Sequence, residues 1–141
     1  PDAILAMDAC LTGCGGICEN EYFRALFPKD RNGQSISSNI AHLEILTVVV
    51  ALKIWHEKLA GKAVVILCDN ESSVHVINSG RARDKNMQDA VREIAFWSSK
   101  WDFQVKAQHI AGEDNRVPDW LSRWHLSEDY KRKFLEFNKT K

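Results

Sequence analysis

The chain has 141 residues, one domain's worth of polypeptide, long enough to bury about 68–70% of its unfolded surface without help from disulfides or metals. Its 45% hydrophobic and 27% charged residues, with only three prolines, exclude a disordered, collagen-like or low-complexity chain. Nineteen basic and nineteen acidic side chains cancel, so net charge gives no footprint for nucleic acid, and any such partner must be read from local clusters.

The longest uncharged apolar run, Ile45 to Leu52, is too short to cross a bilayer and ends in Lys53, so no membrane span is expected. Cys10, Cys14, Cys18 and Cys68 are sparse for a secreted scaffold and no signal peptide precedes them; they read as thiols in a reducing compartment. The start at Pro1 leads to the expectation of a domain cut from something longer.

In chain order, Ala3 to Met7 is an apolar run ending at Asp8, and Ile17 to Phe27 is a longer β-like stretch. Thr12, Gly13, Gly15 and Gly16 between them read as a tight reversal, and Lys29 to Gly33 as a second turn, giving an antiparallel three-stranded meander. From Ser38 to Ala60 apolar residues recur at three and four (Ile40, Leu43, Leu46, Val50, Ile54), with Val48, Val49, Leu52 and Trp55 widening the stripe. This predicts a buried helix, stopped by Gly61. Ala63 to Cys68 is a continuous apolar strand of the kind found centrally in a sheet covered on both faces, with Asp69 at its C-terminal end.

Asn70 is placed to cap a short helix through Ile77, broken at Ser79-Gly80, and Asp84 to cap a longer one with Met87, Ala90, Val91, Ile94 and Trp97 or Trp101 on one face. Phe103 to Ile110 reads as a strand. Asn115 then caps a helix with Pro118 in its first turn and Val117, Trp120, Leu121 and Trp124 on its buried side, and a last amphipathic helix runs from Ser127 to Phe137. The predicted order, β-β-β-α-β-α-α-β-α-α, is an α/β fold with a mixed five-stranded sheet flanked by helices. The domain proper spans 1–126, and 127–141 is an appended helix that packs on it or on a neighbour through Tyr130, Phe134 and Phe137.

Four carboxylates stand where a polar group costs free energy. Asp8 and Asp69 end apolar strands, Glu44 interrupts the apolar helix, and Asp119 lies in the first turn of a late helix. If the strands of Asp8 and Asp69 are neighbours, both side chains emerge at one sheet edge, within reach of Glu44 and Asp119. Clustered carboxylates repel unless cations intervene, and an all-oxygen site suits Mg²⁺ or Mn²⁺. Two such ions about 3.5–4 Å apart serve phosphodiester hydrolysis. Any one of these acids alone is most simply a cap or an exposed group. The Cys10, Cys14, Cys18 series fits no zinc spacing, and most of Trp55, Trp97, Trp101, Trp120 and Trp124 read as core.

Together, Asp8-Ala9-Cys10-Leu11-Thr12-Gly13-Cys14-Gly15-Gly16, His42-Leu43-Glu44-Ile45-Leu46, Cys68-Asp69-Asn70 and His109-Ile110-Ala111-Gly112 leading to Asn115-Arg116-Val117-Pro118-Asp119-Trp120-Leu121-Ser122-Arg123 resemble the ribonuclease H domain of reverse-transcribing elements. The resemblance runs from about Ile4 to Trp124, and its closing pattern looks most like gypsy-type and DIRS-type retrotransposons. It implies a ribonuclease H-like fold and a hydrolase cutting the RNA strand of RNA–DNA hybrids during reverse transcription, leaving 5′-phosphate ends. Two Mg²⁺ or Mn²⁺ ions are implied, with Asp8 bridging both, Asp119 completing the nucleophile side, and Glu44 and Asp69 the leaving-group side. An upstream polymerase domain in the same polyprotein, and a place in the cytoplasm or nucleus of a eukaryotic host, are implied with it.

Cellular members carry a histidine in the loop before the last catalytic helix. The segment Ala111 to Asn115 has none, and His109 lies earlier, to be weighed between a catalytic role and pairing with backbone. Glu113 or Asp114 stands in that loop as an alternative for metal or water handling. For substrate, Asn70 and Ser72 at a helix N-terminus are placed for a phosphate or a 2′-hydroxyl, Asn39 is a further candidate, and Arg81, Arg83 and Lys85 offer phosphate contacts. Two other readings remain: a non-catalytic connection-like module supporting a polymerase, and a related nuclease or integrase acting on DNA.

Overall fold

The computed structural model describes residues 1–139, so the last two positions of the 127–141 segment lie outside the described residues. Strands β1 (Ala3–Ala9), β2 (Gly13–Cys18) and β3 (Glu21–Leu26) form the meander; α1 (Ile40–Leu59), β4 (Ala63–Cys68), α2 (Glu71–Ser79), α3 (Lys85–Trp101) and β5 (Gln104–His109) follow. A 3₁₀ turn at Gly112–Asp114 leads into α4 (Arg116–Ser122) and α5 (Glu128–Lys139). The sheet order is β3-β2-β1-β4-β5, antiparallel across the meander and parallel from β1 through β4 to β5.

The meander is built differently from its sequence reading. Gly13, Gly15 and Gly16 are not a turn but lie within β2, and the β2–β3 reversal falls at Glu19 and Asn20, with Glu19 at φ 56°. Gly33 does take positive φ, 76°, but in the loop between β3 and α1. Adding a Cβ explains the glycines: at Gly15 it would stand 2.3 Å from Leu121 Cβ, and at Gly13 2.7 Å from the Ser122 carbonyl oxygen. The strand is glycine-rich so that α4 can lie against it, the close backbone approach that glycine in a strand often marks. Gly16 faces the other way, beneath its cross-strand partner Phe23.

Strand alternation divides the molecule into two layers. Leu5, Met7, Cys14, Cys18, Val64 and Ile66 pack against the buried residues of α1, among them Leu43, Ile45, Val48 and Leu52. The α1 Trp55 ring meets Phe23 edge-on at 5.4 Å, and α3 closes this layer with Met87, Ala90, Val91 and Ile94. On the opposite face α4 covers β1 and β2, and α5 packs on α4 and the meander. Phe134 of α5 is buried between Tyr22 and Trp124.

The helix ends follow local chemistry. Asn39 caps α1 by accepting from the Ala41 and His42 amides, Asn70 caps α2 from Ser73, and Asp84 caps α3 from Met87. Gly80 takes the left-handed conformation that ends α2. Two further expectations are corrected. Asn115 makes no cap bond; it is buried and its Nδ2 donates to the Met7 carbonyl at 2.9 Å, tying the start of α4 to β1. The apolar strand Ala63–Cys68 is second from the sheet edge, and β1 is the middle strand. Of the tryptophans, Trp55 is buried and Trp97 and Trp101 pack against the same core, in keeping with the reading of most of them as core, while Trp120 on α4 and Trp124 in the turn after it are partly exposed.

Candidate active site

Parallel pairing of β1 and β4 runs from Ala3 opposite Val64 to Ala6 opposite Leu67. Two residues further along each strand are Asp8 and Asp69, which therefore leave the sheet side by side at its C-terminal edge. Glu44, on the second turn of α1, reaches that edge from one layer, and Asp119, on α4, reaches it from the other. Carboxylate oxygens of Asp8, Glu44 and Asp69 all lie within 4.8 Å of one another. Asp119 lies outside this trio but lines the same cavity of about 670 Å³, with Asn70, Arg123, Cys10 and Thr12.

Three of the four acids are held by specific donors. Glu44 is 2% exposed, and its Oε1 accepts from the Ala9 amide at 3.0 Å. The Cys68 thiol donates to Glu44 Oε2 at 3.6 Å. Burial pushes that thiol well above its ordinary range, so it stays protonated as a donor. Asp8 is 5% exposed, and Ser122 Oγ donates to its Oδ2 at 3.0 Å. Asp119 Oδ1 accepts from Arg123 Nε at 2.8 Å, one turn along α4.

The electrostatics of the trio favour a bound cation. Burial, then the negative charge of Asp69, raises Asp8 to about 7; burial, then Asp8, raises Glu44 to about 9. Without a cation the pair holds protons at pH values where exposed carboxylates have lost them. Buried carboxylates that repel one another ionise when a multivalent cation replaces those protons. The donors are all oxygen, and the neighbouring thiol remains protonated, so the residues fit a hard divalent ion such as Mg²⁺ or Mn²⁺.

The family model described as reverse transcriptase-like matches residues 2–125. The chain belongs to the reverse transcriptase-like family. Its fold is ribonuclease H-like. Similar solved structures include ribonuclease H1 from the halophilic archaeon Halobacterium salinarum, with TM-score 0.66, 10% identity, and 84% of this chain and 92% of that one covered. Another is LC11 ribonuclease H1, isolated from compost by a metagenomic approach, in complex with an RNA/DNA hybrid: TM-score 0.64, 17% identity, 84% and 92% covered. A third is the N-terminal ribonuclease H domain of a Mycobacterium tuberculosis protein, with TM-score 0.62, 11% identity, and 95% and 97% covered. No curated protein sequence matches the chain.

Within this ribonuclease H-like frame the other sequence-predicted residues separate. Asn70 lines the cavity; its Oδ1 is engaged by the Ser73 amide and hydroxyl, which leaves its amino group for a ligand. Ser72 is exposed on the first turn of α2. Asn39 is exposed at the start of α1, with Oδ1 capping the helix and Nδ2 donating to Met87 Sδ at 3.3 Å. Arg81 and Arg83 lie past the far end of α2, roughly 13 Å along the axis from Asn70, and line a separate depression with His75 and Ser79. His109 Nε2 contacts the Asp69 carbonyl at 3.2 Å, the backbone pairing weighed above.

Glu113 and Asp114 are exposed on the 3₁₀ turn and outside the trio of Asp8, Glu44 and Asp69; that turn passes close to the site, since a Cβ on Gly112 would sit 3.6 Å from Asp69 Oδ2. The four cysteines are free and buried, and no cysteine joins a metal-competent cluster among the described residues. Sequence reasoning missed Ser122 and Arg123. Their signal was present, since both follow Asp119 at helical spacing, but which face of α4 meets the cavity depends on its docking against Gly15.

Proposed function

We propose that this domain is a divalent-cation-dependent ribonuclease H that hydrolyses the RNA strand of RNA–DNA hybrids, acting in reverse transcription as part of an intracellular retroelement polyprotein with a polymerase domain upstream. The observation that carries this reading is the convergence of Asp8, Glu44 and Asp69 within 4.8 Å at the sheet edge, with Asp119 lining the same cavity. The structurally similar LC11 enzyme in complex with an RNA/DNA hybrid supports the substrate class. The closing His109-to-Arg123 pattern supports a gypsy-type or DIRS-type origin.

Asp8, Glu44, Asp69 and Asp119 would hold two Mg²⁺ or Mn²⁺ ions. When bound, such ions supply a nucleophile from water at neutral pH and stabilise the leaving oxygen. The chain itself orients these ligands. The Ala9 amide fixes Glu44, and Ser122 fixes Asp8 and also meets the Asp119 carbonyl at 2.9 Å. The amino group of Asn70 and the exposed Ser72 sit at the N-terminus of α2, where free amides favour a phosphate and a hydroxyl partner can select a 2′-OH. Arg81 and Arg83 are placed to meet backbone phosphates further along the duplex.

The test is a panel of strand-labelled RNA–DNA hybrid, duplex RNA, duplex DNA and single-stranded RNA, each with Mg²⁺ or Mn²⁺. Cleavage confined to the RNA of the hybrid, with 5′-phosphate products, is expected. No cleavage in either metal would point to a connection-like module, and cleavage of DNA to a DNA-acting nuclease.

A further inference from the structure

The cavity that gathers four acids is lined by one basic side chain, Arg123. It follows α4 directly, and its backbone amide donates to the Asp119 carbonyl at 3.1 Å, so the side chain folds back over one turn. Its Nε donates to Asp119 Oδ1 at 2.8 Å. The Asp119 and Arg123 side chains are 38% and 41% exposed, so the pair sits at the cavity mouth in contact with solvent. An ion pair of this kind, half in solvent, is weak and exchangeable. Asp119 is also the one acid of the four outside the compact trio, and its Oδ1 is already taken.

Resting on the nuclease reading above, we propose that Arg123 is a latch on Asp119: it competes with a divalent cation for that carboxylate and, once displaced, turns its guanidinium to a phosphate of the nucleic-acid strand in the cavity. A guanidinium has five donors in a planar fork, and Nε uses one of them here, so the NH₂ groups suit a phosphate's oxygens. Cation and polynucleotide then help each other bind. The cation frees the arginine for the phosphate, and the phosphate keeps the arginine away from Asp119. Arg123 is a positioning residue for Asp119 in the free protein and a substrate-binding residue in the complex.

This arrangement has a signature that a merely structural arginine lacks, because its removal moves two affinities in opposite directions. The experiment compares the wild-type chain with Arg123→Gln and Arg123→Lys. Mn²⁺ affinity is measured by calorimetry without nucleic acid, and affinity for a fluorescent RNA–DNA hybrid by anisotropy in Ca²⁺. Arg123→Gln is expected to bind Mn²⁺ about twofold more tightly, as one competing charge is removed, and the hybrid about tenfold more weakly, as a charge-assisted contact is lost. Arg123→Lys keeps the charge and loses the fork, so its Mn²⁺ affinity should stay near wild type while its hybrid affinity falls in between. Weaker binding of both by Arg123→Gln, or no change in either, would overturn the latch. A wild-type chain that binds neither Mn²⁺ nor hybrid would overturn the nuclease reading itself.

Discussion

Glu44 and Asp8 carry protons at pH values where exposed carboxylates have lost theirs, and this has a sign that can be measured. In the unfolded chain they ionise near 4.5 and 3.8; folded and metal-free they do so near 9 and 7. Between those values the folded state binds more protons than the unfolded state, so stability falls as pH rises. Thermal melts in a chelating buffer should show Tm lower at about pH 8 than at about pH 5 by several degrees, and saturating Mg²⁺ should flatten that slope. A metal-free Tm that rises over the same interval would show that the pair is not the dominant titrating unit.

Asp69→Asn removes a charge that raises both partners, so metal-free stability should hold or increase while hybrid cleavage drops at least about a hundredfold. A large loss of Tm would mean that Asp69 is structural. These acids were legible in the sequence because each is polar in an apolar setting. Ser122 and Arg123 were not, because a serine and an arginine at the end of a short helix are ordinary until the helix's rotation is known. Asn115 was misread for a related reason: the residue before a helix is usually its cap, but here burial turns its amide toward the Met7 carbonyl.

At the scale of elements, β2 and α4 depend on each other. Gly13, Gly15 and Gly16 read as a turn because glycine is the commonest turn residue, and nothing local distinguishes a turn from a strand that lets a helix lie against it. The contact shows the difference. Gly15→Ala places a methyl group 2.3 Å from Leu121 Cβ and 3.0 Å from the Leu121 carbonyl carbon, so α4 must shift. The variant should lose roughly 1–3 kcal/mol of stability through overpacking, and cleavage should fall further than stability does, because Asp119 and Ser122 ride on α4. Gly112→Ala is the matched control: its added methyl meets Asp69 Oδ2 at an ordinary 3.6 Å, so Tm should change little. Equal behaviour of the two variants in melting and cleavage would contradict this account of the glycines.

For the whole molecule, element order and the mixed sheet were readable from periodicity, because each buried face had to repeat at 2 or 3.6 residues. Strand order was not readable from the sequence, which left the pairing of the Asp8 and Asp69 strands as a condition; the β1–β4 pairing is what brings Asp8 level with Asp69. The same topology lets Glu44 and Asp119 approach from opposite layers, so the site exists only when both layers are docked on the sheet. Arg81 and Arg83, read from sequence only as possible phosphate contacts, lie past the far end of α2 in a depression separate from the cavity where the acids meet.

Calorimetric titration with Mn²⁺ at about pH 7, in two buffers of different ionisation enthalpy, tests the convergence of the acids most directly. The account predicts saturable binding with release of at least one proton per protein, abolished or strongly weakened in Asp8→Asn. Binding without proton release, or an isotherm that Asp8→Asn leaves unchanged, would contradict it.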